Sequence, residues 1–216
     1  MPTNIEWIDI LKRLGVKPVT ADRWADAFAA EVRPDAFSLG MTEVDDFLSQ
    51  VLHESSMLER MEENLNYSVD ALLAKFGRHR ISVADAHRYG RVAGKQAANK
   101  EGIANALYGG EWGAKNLGNT QPGDGWRYRG SGPIQVTGRG NFAALEALTG
   151  LPLVDHPELL RRPGREALRV CIGWWEGNVP DAVMGNTARV RRAVNGGSLG
   201  LEETAKLAGL AQKVLG

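Results

Sequence analysis

Ten glycines fall between Gly109 and Gly140, with Pro122 and Pro133 among them, and no other feature limits the possible folds so strongly. Glycine loses the most backbone freedom in regular structure, and proline lacks the amide donor, so an uninterrupted helix or strand is not expected there. A long glycine-rich stretch inside a compact domain is usually functional or mobile. Here it separates two runs of helical pattern.

On the N-terminal side, Ile5, Ile8 and Leu11 fall on one helical face, and Gly15 can end that helix. Thr20 is an expected N-cap for a second helix, with Trp24, Ala27, Phe28 and Val32 on its apolar side. A third starts near Thr42 and carries Phe47, Leu48, Val51 and Leu52. Ser68 caps Val69 to Phe76, Ser82 caps a helix to about Val92, and another runs from Asn99 to Tyr108. Beyond the glycines, helices resume at Phe142 to Thr149, Arg165 to Trp175, Thr187 to Val194 and Leu201 to Leu215. The fold class expected is mainly α, with at most a short strand pair near Tyr128 and Ile134 to Val136.

With 216 residues, of which 43% are hydrophobic, the chain can bury one sizeable core. No stretch reads as a linker. We therefore expect a single domain over 1–216, with room for a small helical lobe at about 68–108. Lys+Arg 26 balances Asp+Glu 26, which argues against a nucleic-acid partner. The nearest basic cluster, Arg189, Arg191 and Arg192, reads as a solvated helix face. Cys171 is the only cysteine, so no intramolecular disulfide can form. Its apolar neighbours Val170 and Ile172 predict a buried small hydrophobe, and a lone thiol suits a reducing compartment. The N-terminus carries no basic and apolar leader pattern, and no apolar run is long enough to span a bilayer, so neither a signal peptide nor membrane insertion is expected.

Glu54 stands out among the carboxylates. It follows Val51 by three positions and Phe47 by seven, which puts it on the apolar face of its helix. A carboxyl against apolar side chains has its charged form disfavoured, as a general acid requires. The alternative is a helix-end glutamate that reaches solvent. Downstream stand Glu59, Glu62 and Glu63. Such a cluster is either a solvated acidic face or the source of the second carboxylate that glycoside hydrolysis needs. Other chemistries fit worse. His53-Glu54-Ser55-Ser56-Met57 begins like a zinc-protease motif, but Met57 stands where its second histidine belongs. Arg129 replaces the first glycine of a nucleophile elbow at Gly130-Ser131-Gly132. No metal and no organic cofactor is implied.

The segment Gly123 to Gly138 mixes Trp126, Tyr128, Arg127 and Arg129 with small residues. Aromatic faces such as Trp126 can lie against a sugar ring. Gln135, Thr137 and Asn141 offer hydrogen bonds to hydroxyl or acetamido groups or to a water. Equally, the segment is a structural loop in which Trp126 and Tyr128 cap the core.

Together these blocks resemble the family 19 glycoside hydrolases, a group of chitinases and phage endolysins. The matching pieces are His53-Glu54-Ser55, Glu63-Asn64-Leu65-Asn66-Tyr67-Ser68, Ile103-Ala104-Asn105 to Tyr108-Gly109-Gly110, the Gly123 to Gly138 segment, and Asn195-Gly196-Gly197, in the family's order. The resemblance implies a lysozyme-like, chitinase-like helical fold with a glycine-rich cleft loop. It implies that Glu54 is the general acid, Glu63 the second catalytic glutamate in the endolysin spacing, and Thr137 a holder of the nucleophilic water. Gln135, Asn141 and Asn195 fall on polar positions of the substrate cleft, and His53, Tyr67, Trp126 and Tyr128 are expected as further substrate contacts. Two departures stand out: Glu111-Trp112-Gly113-Ala114 where phage relatives have Arg-Met-Gly-Asn, and Leu201-Glu202-Glu203 where relatives often carry paired arginines.

The implied activity is inverting cleavage of the β-1,4 backbone of peptidoglycan, lysozyme-like, by a monomer without a separate wall-binding module. The partners implied are peptidoglycan glycan strands. Release to the wall would then need help, such as a holin-type pore if the gene is phage-derived. A chitinase is the alternative enzyme. A non-catalytic peptidoglycan-binding protein is the alternative of another class, and an antibacterial toxin of a secretion system is a third.

Overall fold

The computed structural model describes residues 2–216 and is mainly helical. In chain order the α-helices are α1 (Asn4–Arg13), α2 (Pro18–Glu31), α3 (Val44–Glu54), α4 (Val69–Lys75), α5 (Val83–Tyr89) and α6 (Lys100–Tyr108). They continue with α7 (Gly110–Leu117), α8 (Asp124–Arg127), α9 (Arg139–Thr149), α10 (Arg165–Asn178), α11 (Thr187–Asn195) and α12 (Leu201–Leu215). No helix among the described residues is long and apolar enough to cross a membrane. The chain forms two compact units. One comprises residues up to Met61 with 132–134 and 159–216, and the other comprises 62–131 and 135–158.

The first unit is built on α1–α3 and α10–α12. Thr3 and Glu6 form a reciprocal capping box that starts α1. Its buried face is Trp7, Ile10, Leu11 and then Leu14, whereas Ile5 is 77% exposed. The expected stripe was therefore rotated, because Trp7 carries far more apolar area than Ile5. The second helix begins at Pro18, whose fixed φ suits the first helical position, so Thr20 lies inside the helix rather than at its cap. The Thr20 hydroxyl instead donates to Glu59 Oε1 at 2.5 Å. Trp24, Ala27, Phe28 and Val32 are buried as expected. Phe47 of α3 packs edge-on against Phe37 and Trp175, with ring centroids 5.2 and 5.6 Å away. Cys171 is buried, and burial pushes its thiol well above the ordinary value. Glu43 is wholly buried beside this aromatic cluster, accepting the Trp175 indole N–H and the Leu39 amide, both at 2.8 Å.

The second unit contains α4–α9 and its own core of Leu65, Val69, Leu72, Ile81, Ile103 and Leu107. The two expected caps are in place, and Asn99 adds a third. Ser68, Ser82 and Asn99 accept from the amides of Ala71, Asp85 and Gly102 at 3.1, 2.9 and 2.9 Å. The fifth helix stops at Tyr89 instead of near Val92, because the chain leaves at Gly90 and Arg91 donates its amide to the Tyr67 carbonyl at 2.8 Å. The glycine-rich stretch is more ordered than its composition predicts, since it holds both α7 and α8. Gly118, at φ 66°, closes α7. Gly125 permits α8 to touch α6: a Cβ there would lie 2.5 Å from the Ala104 carbonyl oxygen. In place of a strand pair, Ser131 and Val136 form an isolated bridge, exchanging amide bonds of 3.0 and 2.9 Å.

Replacing Trp175 by Phe removes one donor from the fully buried Glu43 carboxylate. We expect a loss of about 2 kcal/mol in unfolding free energy, the usual cost of leaving a buried charged acceptor short of a partner. A lowered urea midpoint at unchanged slope would report it.

Candidate functional site

Glu54 ends α3 with its side chain about a third exposed, and its Oε1 accepts from Arg191 Nη1 at 2.6 Å. Arg191 is only 2% exposed. The same guanidinium donates to Gln50 Oε1 at 3.0 Å and to the Leu199 carbonyl at 2.6 Å. Gln50 and Glu54 are one turn apart on α3, so both reach the same cation. This corrects two expectations. Glu54 does not rest against apolar side chains alone, since a buried guanidinium holds it. The arginine cluster is not a uniformly solvated face either: Arg189 and Arg192 are exposed, but Arg191 is core. Its position on the border of the Val190, Ala193, Val194 stripe is the sequence signal for that burial.

Immediately after Glu54 the chain makes a left-handed turn of non-glycine residues, with φ of 52°, 60° and 65° at Ser56, Met57 and Leu58. Each such residue costs roughly 1–2 kcal/mol. The turn is held by a dense local network. The Ser55 hydroxyl donates to the Val51 carbonyl at 2.6 Å and accepts the Leu58 amide at 2.8 Å, and Met57 N–H bonds the Leu52 carbonyl at 2.7 Å. Buried Leu58 anchors it in the core. Strain of this kind concentrates at functional sites.

His53 borders Gly200, where φ is +79° and a Cβ would lie 2.3 Å from the imidazole Nε2, so this contact requires glycine. Asn195 braces the turn before α12. Its side chain donates to the Leu199 carbonyl at 2.9 Å and accepts the Gly197 amide at 2.8 Å. Since Leu199 also takes Arg191, Asn195 supports the cation that holds Glu54.

Glu63 belongs to the second unit and is fixed by neutral donors. Its Oε2 accepts the Tyr108 hydroxyl at 2.6 Å, its Oε1 accepts the Gly130 amide at 2.6 Å, and its own amide donates to the Gly130 carbonyl at 3.0 Å. Burial first, then the charge and hydrogen bond of Glu63, push the Tyr108 phenol well above its ordinary value. Tyr67 is also pushed up, by burial and by the Glu63 charge. The neighbouring Glu62 takes a different role, pairing with Arg129 at 2.6 Å.

The remaining expected residues divide. Gln135 adopts a left-handed backbone, φ 56°, and its side chain reaches the neighbourhood of Gly130 and Glu63: a Cβ on Gly130 would lie 3.2 Å from Gln135 Oε1 and 3.1 Å from Glu63 Cβ. The Thr137 hydroxyl donates to the Gln135 carbonyl at 3.0 Å, and Asn141 donates to the Thr137 carbonyl at 2.7 Å. Glu63, Gln135, Thr137 and Asn141 thus belong to one unit. Tyr67 is part-buried, its ring 5.4 Å from Phe76. Tyr128 is a correction. It is 0% exposed, its hydroxyl bonds the Val154 carbonyl at 2.9 Å and its ring meets Phe142, so it serves the core and not a sugar. One face of Trp126 is already covered by the Arg129 guanidinium, 3.7 Å from the ring centroid, which leaves at most the other for a ligand. Tyr108 and Arg191 are the residues that sequence reasoning missed. Tyr108 precedes the Gly109-Gly110 pair in one of the family-like segments, but only folding shows that its hydroxyl points at Glu63.

No family model matches the chain. A protein of Haemophilus influenzae described as a glycosyl hydrolase family 19 domain-containing protein is 34% identical over 163 residues, covering 74% of each chain. An endochitinase of Arabidopsis thaliana is 34% identical over 77 residues, 36% of this chain and 27% of that protein. Among solved structures, chitinase C from Streptomyces griseus aligns with 99% of this chain and 76% of its own, at a TM-score of 0.53 and 15% identity. A mutant of chitinase C gives 0.55 and 16% over the same shares. The fold is thus that of the chitinase-like hydrolases. The chain belongs to glycoside hydrolase family 19.

Tyr108→Phe should cost about 1–2 kcal/mol by removing a donor from a carboxylate. A phenol raised in the folded state contributes stability that is complete below its unfolded pKa, about 10, and is lost as pH rises beyond it. Wild type should therefore lose stability above about pH 10, and the Phe variant should lose less of it. Parallel curves for the two proteins in alkaline denaturant titrations would contradict this.

Proposed function

We propose that the protein is a lysozyme-type hydrolase that cuts the β-1,4 glycan backbone of bacterial peptidoglycan by inversion. Glu54 donates the proton to the leaving oxygen, and Glu63 with Thr137 orients the attacking water. The observation that carries this reading is the contrast between the two carboxylates. One is held by a buried cation through a single oxygen, and the other by a phenol and a backbone amide. With Oε1 committed to Arg191, Glu54 keeps Oε2 for the proton. Each Glu63 oxygen takes one donor and retains a lone pair for water. Inverting hydrolysis generally uses two carboxyls about 6.5–9.5 Å apart with the water between them.

One observation supports peptidoglycan over chitin. The spacing of nine positions between Glu54 and Glu63 is short, as in the endolysin branch. Chitin is the second reading, since the plant relatives and the solved structures are named as chitinases.

Glu54→Gln should lower turnover by roughly 10²–10⁴-fold, the range for loss of an acid–base group. Purified sacculi and colloidal chitin would be digested separately, and the new reducing ends identified by mass spectrometry. Muramic-acid ends from wild type alone are expected. Release from chitin with intact sacculi would make the enzyme a chitinase, and no release from either would favour a binding protein. A glycoside with an activated leaving group also decides which glutamate is the acid. That substrate should rescue Glu54→Gln but not Glu63→Gln. The reverse pattern would exchange their roles.

A further inference from the structure

The chain carries no net charge, but its charge is segregated. Residues 75–100 hold seven Lys and Arg against one acid, Asp85. Lys75, Arg78, Arg88, Arg91, Lys95 and Lys100 are all exposed. They lie on the end of α4, on α5, on the turn that follows it and at the start of α6. These pieces form one body. Gln96 reaches back from the turn to donate to the carbonyls of His87, Arg88 and Gly90 at the end of α5, at 3.1, 3.3 and 2.5 Å. Asn99 donates its amide to the Tyr89 carbonyl at 2.8 Å, and Val92 and Gln96 bridge within the turn. Three of the cations, Arg88, Arg91 and Lys95, are therefore fixed close together by backbone contacts.

Among the described residues no acid pairs with these six exposed cations; Lys75 and Arg88 only lie over the Tyr67 and Tyr89 rings, 5.5 and 5.3 Å from the centroids. The Asp85 carboxylate is taken up by the Ser82 hydroxyl at 2.7 Å. Arg78 donates to the Leu73 carbonyl at 2.6 Å, so a main-chain group and not an acid receives it. Arg80 leads from the lobe toward Glu63. It lies over the rings of Trp112 and Tyr108, 4.0 and 5.5 Å from their centroids, and Tyr108 is the phenol that holds Glu63.

We propose that this basic lobe docks the free carboxylates of peptidoglycan stem peptides, and so gives the enzyme a preference for that acidic polymer over neutral chitin. The choice of polymer rests on the hydrolase reading above. Chitin offers no charge to pair with, whereas every stem peptide does. The contiguity of the lobe with Glu63 through Arg80 and Tyr108 favours an anion attached to the glycan itself over a separate phosphate polymer. Rim charges of this kind act mainly on encounter and on salt dependence, leaving the chemical step alone.

The test uses full-length Glu54→Gln protein, so that sacculi stay uncut, with and without Arg88→Gln, Arg91→Gln and Lys95→Gln. Sedimentation would be measured on sacculi stripped of teichoic acid, on the same sacculi with carboxylates amidated, on unstripped sacculi and on colloidal chitin, from low to about 0.3 M salt. The triple variant should bind native sacculi about 10-fold more weakly at low salt, from three lost surface charges. Amidation should abolish the difference, and chitin binding should be equal, which also shows that the variant is folded. Equal binding to native sacculi, or indifference to amidation, would overturn the proposal. So would a lobe-dependent affinity seen only on unstripped sacculi, because phosphate would then be the ligand. If wild type releases no reducing ends yet binding still depends on the lobe and on carboxylates, the hydrolase reading falls and the docking surface stands.

Discussion

The buried guanidinium of Arg191 is the constraint around which the first unit is organised. Taking a full charge out of water costs several kcal/mol unless good partners replace the solvent. Three groups do so: the Glu54 carboxylate, the Gln50 carboxamide and the Leu199 carbonyl. They come from two faces of the chain far apart in sequence, the last turns of α3 and the turn before α12. Gly200 lets that turn come close to His53 and Arg191, and Asn195 braces it from within. A stretch of helix and a short turn are thereby fixed by one cation, and the orientation of Glu54 follows from it.

The strained turn after Glu54 belongs to the same logic. Successive left-handed residues persist only where the surroundings over-determine them. Here Ser55 supplies both a donor and an acceptor, and Leu58 supplies the apolar anchor. Such a turn ends α3 abruptly at its last residue, so that Glu54 lies at the helix end and not within a longer helix. The second unit fixes Glu63 by different means. Among the described residues no cation pairs with it. A part-buried phenol and a glycine amide do the positioning, and the absence of a side chain on Gly130 is what lets its backbone reach the carboxylate closely. Two carboxylates in unlike surroundings are the usual basis of a division between acid and base.

Much of this was legible in the residues. The helical stripes of α2 and α3, the caps at Ser68 and Ser82, and the buried Cys171 follow from periodicity and capping chemistry, which are local. The family followed from ordered blocks and is shown by the bacterial relative. Local signals misled where a larger or stiffer neighbour decided the outcome. Trp7 displaced Ile5 from the core face of α1, and Pro18 displaced Thr20 from the cap of α2. Glycine count misled in the stretch from 109 to 140, since α7 and α8 form between the glycines where Gly113 and Gly125 allow close approach to α6.

By itself, then, the sequence determined a mainly helical chain, the caps at Ser68 and Ser82 and the short list of acids on which glycoside chemistry can rest, because each depends on residues within a few positions of one another. Tertiary structure alone decided what those side chains meet. Arg191 became a buried partner of Glu54, 137 positions away, instead of a solvated cation, and Tyr108 met Glu63 across 45 positions. Tyr128 went into the core, and seven cations spread over 75–100 were gathered on one lobe. The physical reason is common to all four. Burial and charge pairing depend on which distant surfaces the folded chain removes from water, and that information is absent from local spacing.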